Sequence, residues 1–425
     1  MDAKNPVSPA RRDARSSRSP SATLHPGLAH VATVSFLASR AAPSAQFWLA
    51  LGGGIGLARA AAERGARVGF GTSLAAMLQT VAVMGPARIN APLTQAMTAP
   101  MMGRLEARGV HPVTEFAACL VLRLLHYTVL LAAFIFVVLG GLDEFTGSYE
   151  TLTGWLGFIP QGPKAALVAT AIGNGCWAIF FSAVQVAVYR RALGDWPLPE
   201  RAGDAPPAPP EPPPAPAETG RFDPRAVVVA ALAASALLLT STAWPLLVGV
   251  AAWLVPAWRL SRPDREAVPL GLALAGMLAF AALTGGLLGG AGLELTLRRT
   301  LRAVLLVAVA TWMRAAARPD GLRETFRRAL HRLRRIPAVP EAAALLEGLD
   351  SGPRLIAAAR AAAARFENVD LKPAALADTV IAWVAAESAD YRAGAEVPRT
   401  RLRVRAPDGL LVALTLLPAL ALVPA

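Results

Sequence analysis

The feature that most constrains this chain is a long apolar stretch, residues 226–258, which directly follows Arg221-Phe222-Asp223-Pro224-Arg225. Only Thr240-Ser241-Thr242 and Trp244-Pro245 interrupt it. A helix rises about 1.5 Å per residue, so roughly 20 residues cross a bilayer. The stretch therefore predicts two membrane-crossing helices joined by a polar hinge.

Similar apolar segments recur along the chain, and several exceed the length expected of a core helix in a soluble domain. They lie at 46–62, 69–87, 114–142, 164–190, 267–291, 293–313 and 409–425. The mean hydropathy is +0.44, and only 17% of the residues are charged. Without water, each backbone group must bond within its own segment, and runs rich in Ala, Leu and Val favour helices over barrel strands. The sequence predicts an all-α, polytopic membrane protein.

The net charge of +13 comes almost wholly from arginine, because lysine occurs only at positions 4, 164 and 372. The arginines are concentrated in short segments between the apolar runs, which is the pattern of cytoplasmic loops in membrane proteins. A GC-rich genome is an alternative source of the high arginine and alanine content. We expect membrane lipid and no nucleic acid as a partner. The predicted location is the bacterial inner membrane, crossed several times, with the N-terminus in the cytoplasm.

Composition divides the chain into four parts. Residues 1–43 are rich in Ser, Arg, Pro and Ala and are predicted to form a disordered, basic, cytoplasmic tail. Residues 44–195 form a first membrane unit, with four clear apolar spans and weaker candidates at 92–103 and 151–160. Residues 196–220 form a Pro-rich linker, where proline favours extended polyproline II. Residues 221–425 form a second membrane unit, which gives two helical bundles joined by a tether.

The second unit contains a long amphipathic region, approximately residues 314–395. Between Arg314 and Arg335, apolar residues recur every three or four positions, which places one apolar stripe on a helix. Helical segments follow at 342–349, 355–366 and 374–389, separated by prolines. These segments are too charged to lie in lipid, so we expect helices on the cytoplasmic face.

No enzymatic motif is evident, and we expect no catalytic residues and no metal site. The glycine spacing at 157–164 resembles a nucleotide-binding loop, but Pro163 precedes Lys164 and Ala165 replaces the required Ser or Thr. The five histidines are scattered. Among these histidines, only His126 is a candidate functional residue, because it lies beside Arg123 and Tyr127 in an apolar run. A structural or interfacial role is the alternative for it.

The order of motifs from 221 to 425 resembles the T component, the transmembrane coupling subunit, of energy-coupling factor (ECF) transporters. The motifs are Phe222-Asp223-Pro224-Arg225, the hairpin with Thr240-Ser241-Thr242, Thr311, Arg318-Pro319-Asp320-Gly321-Leu322, Leu333-Arg334-Arg335, Arg399-Thr400 and Asp408 before a final apolar helix. The resemblance implies that two helices bind a pair of cytoplasmic ABC ATPases through short motifs centred on arginine. ATP would then bind to those partner subunits, and the chain itself would bind no cofactor.

By position, two segments resemble these coupling motifs. Ala364-Arg365-Phe366 is our choice for the first, and Tyr391-Arg392-Ala393-Gly394 for the second. Neither has glycine directly after arginine, which is where the chain departs from the family pattern. The fixed donor fork of arginine suits carboxylates or carbonyl groups in a partner's groove. The alternative is that Arg365 and Arg392 only solvate helix ends.

Residues 44–195 have the size of the S component, the substrate-binding subunit of the same transporters. A first helix of small residues, 50–62, is similar to the family helix that packs on the T component through alanines, here Ala50, Ala58 and Ala62. The segment Gly173-Asn174-Gly175, which opens a final apolar run, is also similar. Candidate substrate contacts are Asn174 and the tryptophans Trp48, Trp155 and Trp177. Interfacial anchoring is the alternative role for the tryptophans.

The resemblance implies a fused S–T subunit of an ECF-type importer for a vitamin-like small molecule. Two other interpretations stay open. In one, only residues 221–425 are a T component, and the first half is an unrelated membrane partner. In the other, the chain is a membrane scaffold whose basic helices bind anionic lipid.

Overall fold

The structure, a computed structural model, describes residues 26–42, 45–196, 220–264, 267–366, 369, 372–391 and 402–422. We call the described residues up to 196 the first half and those from 220 onward the second half. The helices of the first half are α1 Pro26–Ala41, α2 Gln46–Arg64, α3 Ala66–Met84, α4 Asn90–Glu106, α5 Pro112–Ala133, α6 Leu142–Thr153 and α7 Pro163–Gly194. Those of the second half are α8 Pro224–Thr240, α9 Trp244–Ser261, α10 Ala267–Leu288, α11 Leu293–Ala317, α12 Pro319–Arg332, α13 Val339–Gly348, α14 Gly352–Phe366, α15 Pro373–Asp390 and α16 Ala406–Leu416.

The described residues also form three short helices: 3₁₀ turns at Pro86–Arg88 and Leu417–Leu422, and a π-helix at Phe134–Leu139 that extends α5. The described residues contain no β-strand. An all-α architecture is therefore confirmed. Within the amphipathic region, helices α13, α14 and α15 match the predicted segments closely, whereas the first predicted helix is divided. Arg314 belongs to the end of α11, and α12 begins only at Pro319.

Proline and capping residues set many of the helix starts. Asp223 caps α8, since its side chain accepts a hydrogen bond from the Arg225 amide at 2.9 Å, and Pro224 occupies the first helical position. Helix α5 likewise opens with Pro112. The π-helix ends at Gly140, whose φ of 98° is the left-handed conformation that glycine adopts most readily.

Among the described residues, five helices are long and apolar enough to cross a membrane, which makes the chain a multi-pass membrane protein. They are Pro112–Leu139, Pro163–Gly194, Trp244–Ser261, Gly271–Leu288 and Leu293–Ala317. Two shorter apolar helices lie at Pro224–Thr240 and Ala406–Leu420. Helices α2 and α3 cover the predicted apolar segments 46–62 and 69–87, but they are not among the five. The weaker candidate at 151–160 is not a helix, because α6 ends at Thr153 and turns follow.

The prediction of a disordered tail is wrong for residues 26–41. These residues form α1, and its side chains from Leu28 to Ser39 are buried against α2, α3, α14 and α15. The apolar run at 31–38 is too short to span a bilayer. It is long enough to be a core helix once other helices surround it. Residues 1–25 and the linker residues 197–219 lie outside the described part of the chain.

The two predicted units do not bury separate cores. One apolar cluster joins Leu49 and Ile55 of α2 to Leu355 of α14 and Val380 of α15. A smaller cluster joins α1 and α3 to α12 and α13. The amphipathic helices of the second half therefore pack on the first three helices of the chain. A third cluster lies almost wholly in the second half, among α8, α9 and α11.

Candidate functional site: the junction between the two halves

Helices α14 and α15 pack directly on α1 and α2, and we call this contact the junction. The helices approach each other closely there because glycine occupies two of the contact positions. A Cβ atom on Gly27 of α1 would lie 2.3 Å from the backbone oxygen of Ser388 in α15. A Cβ atom on Gly52 of α2 would lie 3.0 Å from the side chain of Val380. The backbones approach each other more nearly than larger residues would permit.

A buried polar cluster lies at the edge of the junction, around His30 of α1. The imidazole stacks on the ring of Tyr391 with centroids 4.2 Å apart. Its Nδ1 lies 3.4 Å from an oxygen of Asp350, and its Nε2 lies 3.9 Å from Glu387. Despite these two carboxylates, burial lowers the pKa of His30 to about 4. The imidazole is therefore neutral at neutral pH, since desolvation of the cation outweighs its attraction to the carboxylates.

Backbone carbonyl groups at the end of α13 tie the same region to α3 and α12. Gln79 of α3 donates to the carbonyl oxygen of Asp350 at 3.2 Å. The buried guanidinium of Arg323 in α12 donates to the carbonyl oxygens of Leu346 and Glu347, both at 2.9 Å. The Arg323 pKa is lowered chiefly by burial. These bonds satisfy carbonyl groups that a helix end otherwise leaves unpaired.

Of the predicted coupling residues, the structure describes only those at the end of α14. Ala364 and Arg365 are exposed at the end of α14, so both can be reached by a partner. The next residue, Phe366, is buried and packs edge-on against Trp383 of α15, with ring centroids 6.0 Å apart. This contact holds the exposed end of α14 against α15. Arg392 and Ala393 lie outside the described residues.

The alanines predicted to join the halves have different surroundings. Ala50 and Ala58 are buried, and Ala62 is half-buried. Ala58 lies at the contact of α2 with α4, because its backbone is the nearest neighbour of Gly103. That contact is within the first half. Glycine at position 52 marks the point where α2 approaches α15.

The predicted substrate contacts are not gathered into one site. Trp177 stacks on Phe181, with centroids 5.2 Å apart, and Phe181 in turn contacts Phe47, the neighbour of Trp48. Trp48 and Trp177 therefore belong to one aromatic cluster. Trp155 lies after α6 and is 78% exposed. Asn174 lies on α7, where it has no hydrogen-bond partner among the described residues.

Sequence reasoning missed a buried polar network around Arg123, whose side chain is only 3% exposed. Its Nε donates to Ser182 Oγ at 3.2 Å, and its two Nη atoms donate to Tyr127 and Gln185. Gln185 Nε2 donates onward to Thr98 Oγ1 at 2.8 Å. Within the described residues, Arg123 has no carboxylate partner. A charge inside an apolar run was the sequence signal for this network.

Two further polar contacts join α4 to the membrane-crossing helices α5 and α7. His126 Nε2 lies 2.8 Å from Asn90 Oδ1. The Tyr189 hydroxyl donates to Gln95 Oε1 at 2.6 Å. His126, the one histidine that the sequence singled out, thus has a neutral amide partner that helps to hold α5 against the start of α4.

The halves meet a second time at the π-helix. Arg299 of α11 pairs with Glu144 of α6 at 2.9 Å and donates to the carbonyl oxygen of Leu139 at 2.8 Å. Arg302, one turn further along, donates to the carbonyl oxygen of Val137. A π-helix leaves carbonyl groups displaced from the regular α-helical ladder, and here two arginines from the other half bind them.

No group of three or more His, Cys, Asp or Glu residues that could hold a metal ion occurs among the residues the structure describes. No family model, curated protein or solved structure matches this chain.

Proposed function

We propose that this chain is a membrane subunit of an ECF-type ABC importer. The first half binds a vitamin-like small molecule, and the second half couples a separate pair of cytoplasmic ATPases to its uptake. One observation carries the proposal: α14, which exposes Ala364 and Arg365, packs with α15 directly on α1 and α2. Any displacement of α14 by a bound partner is therefore transmitted to the first half without an intermediate element.

The packing favours transmission by rigid contact. At the junction, α1 lies so close to α15 that not even a methyl group fits at Gly27. Close-packed helices shift as units because their interfaces resist continuous deformation. Closure of the ATPases would move α14 and α15, and α1 and α2 would follow. The arginines that bind the π-helix would act as the opposite anchor, about which the first half tilts.

The direct test is purification of the full chain from native membranes in a mild detergent, followed by identification of co-purifying ATPases. Wild type is compared with the Arg365→Glu/Arg392→Glu double variant. Arg332→Glu is the matched control, because Arg332 is an exposed arginine at the end of α12. We expect the ATPases to be lost only in the double variant. If wild type retains no ATPase in several detergents, the proposed coupling role is rejected.

The linker gives a second test of the same proposal. A tether raises the effective concentration of one unit near the other. Removal of residues 203–217 should therefore lower substrate uptake more than it lowers substrate binding. Unchanged uptake at native expression would contradict this role for the linker.

A non-transport scaffold that binds anionic lipid is the competing function. The observation in its favour is the exposed basic segment at the end of α12 and just after it, which contains Arg332, Arg334 and Arg335. Such a segment binds anionic membrane surfaces, and salt weakens the attraction. Vesicle binding that salt abolishes, together with the absence of ATPase partners, would favour this function over transport.

A further inference from the structure

A cavity of about 280 Å³ lies where five helices of the two halves meet. Its walls come from the ends of α1 and α3 and the following 3₁₀ turn in the first half, and from α10, α11 and α14 in the second. The apolar part of the lining consists mainly of Leu37, Val83, Met84, Leu274, Ala310 and Ile356. The volume is slightly below the range of about 300–1,000 Å³ that is usual for small-molecule sites.

The polar part of the lining is strongly basic. Three arginines from three different helices line the cavity: Arg40 of α1, Arg314 of α11 and Arg360 of α14. No carboxylate lines it among the described residues. Thr311 is the hydroxyl residue of the lining, and it donates to the carbonyl oxygen of Val307 in its own helix. The cavity therefore has apolar walls and a concentration of positive charge.

The structure holds Arg314 in place and leaves part of its donor capacity unused. Its Nε donates to the carbonyl oxygen of Val83 at 2.7 Å, and one Nη is paired with Asp264. The other Nη has no acceptor within the described part of the chain. Arg360, which is exposed, likewise has no ion-pair partner there. Two guanidinium groups thus present unpaired donors at one cavity.

The position of the cavity relative to the bilayer narrows the class of ligand. Gly271 and Leu274 begin the membrane-crossing part of α10, and Ala310 and Arg314 end that of α11. The cavity therefore lies at the level where hydrocarbon gives way to polar groups. Leu272, next to Gly271, is 67% exposed on the outer side of α10, which points to contact with lipid chains.

We propose that this cavity binds an amphipathic anion, with a phosphate or carboxylate on the arginines and an apolar group against α10 and α11. An anionic phospholipid of the surrounding membrane is the occupant that the position favours. Arginine binds phosphate through paired N–H donors in a fixed geometry. The cavity holds the headgroup and the adjoining carbons, and the acyl chains extend along α10. Because both halves supply arginines, the bound anion would strengthen the contact between them.

The test measures binding and thermal unfolding of the purified, delipidated full chain in a neutral detergent. The probes are short-chain phosphatidylglycerol, short-chain phosphatidylcholine and inorganic phosphate. We expect phosphatidylglycerol to raise the unfolding temperature more than phosphatidylcholine does. Arg360→Gln removes one charged hydrogen bond and should weaken phosphatidylglycerol binding about tenfold. Arg108→Gln removes an equal charge from an exposed turn after α4, outside the lining, and should leave binding unchanged.

A second variant tests occupancy of the cavity itself. Ala310→Phe places a ring in the space and should abolish the effect of phosphatidylglycerol. If inorganic phosphate stabilises the wild type as strongly as the lipid, and Ala310→Phe removes that effect, the anion site is supported and its source is a soluble anion. Equal stabilisation by both lipids overturns the proposal. Equal loss of affinity in Arg360→Gln and Arg108→Gln also overturns it.

Discussion

Replacement of Gly27 by alanine tests whether the junction transmits movement through close packing. The added Cβ atom would lie 2.3 Å from the backbone oxygen of Ser388, whereas real Cβ atoms essentially never come nearer than 3.0 Å. Helix α1 must therefore move away from α15 by at least 0.7 Å, the difference between those two distances. A backbone oxygen within a helix cannot rotate aside as a side chain can.

The energetic cost follows from two opposing effects. Overpacking of a buried contact costs about 1–3 kcal/mol. Alanine in place of glycine in a helix offsets this by at most about 1 kcal/mol. We expect Gly27→Ala to lose about 1–2 kcal/mol of stability. The shift of α1 should also disturb the stacking of His30 on Tyr391.

The matched control is Gly173→Ala in α7, where a Cβ atom would have no heavy atom within 4 Å. Its stability should be unchanged or raised by up to about 1 kcal/mol. Thermal unfolding of both variants in the same detergent, followed by circular dichroism, measures the difference. If Gly27→Ala unfolds at or above the temperature of Gly173→Ala, the close-contact reasoning is refuted. Substrate uptake by Gly27→Ala should fall more than substrate binding does.

Three further changes test individual interactions through unfolding measurements. Burial lowers the pKa of His30 to about 4 in the folded protein, from an ordinary value of 6.5. As the pH drops, the unfolded state therefore takes up the proton first, and the stability should fall between pH 6.5 and pH 4 by up to about 3 kcal/mol. His30→Gln should remove that part of the pH dependence. Arg299→Gln leaves the largely buried carboxylate of Glu144 unpaired and should cost about 3 kcal/mol of stability. Arg298→Gln breaks the more exposed pair with Glu294 and should cost less than about 1 kcal/mol. Equal losses of stability would contradict the argument from burial. Asp408→Ala removes an acceptor for two backbone amides and should cost about 2 kcal/mol, while exposed Asp390→Ala should have little effect.

Local physical chemistry in the sequence was sufficient to predict much of the helical structure. Apolar runs such as 293–313 require helices because the backbone must satisfy its own hydrogen bonds in lipid. The breaks at Pro353 and Pro373 were also predicted, and both residues lie at the starts of helices. These features depend on neighbouring residues in the chain, so they can be read without tertiary contacts.

That residues 26–41 form the buried helix α1 could not be predicted from local sequence. Residues 31–38 are apolar but short, and the basic tail before them suggested disorder. The helix is stable in the fold because α2, α3, α14 and α15 bury it from all sides. Burial by segments more than three hundred residues away leaves no local signal. The same reason explains why the two predicted membrane units share cores instead of burying them separately.

The candidate sites were likewise predicted only in part from the sequence. The sequence indicated that Arg365 was chemically important by type and position. Only the tertiary structure decided that Arg123 meets neutral partners, that Arg299 binds the π-helix and that Arg314 lines a cavity with Arg360. Helix formation is specified by short-range periodicity and capping. The partner of a buried charge is specified by packing between distant segments, and that depends on the whole fold.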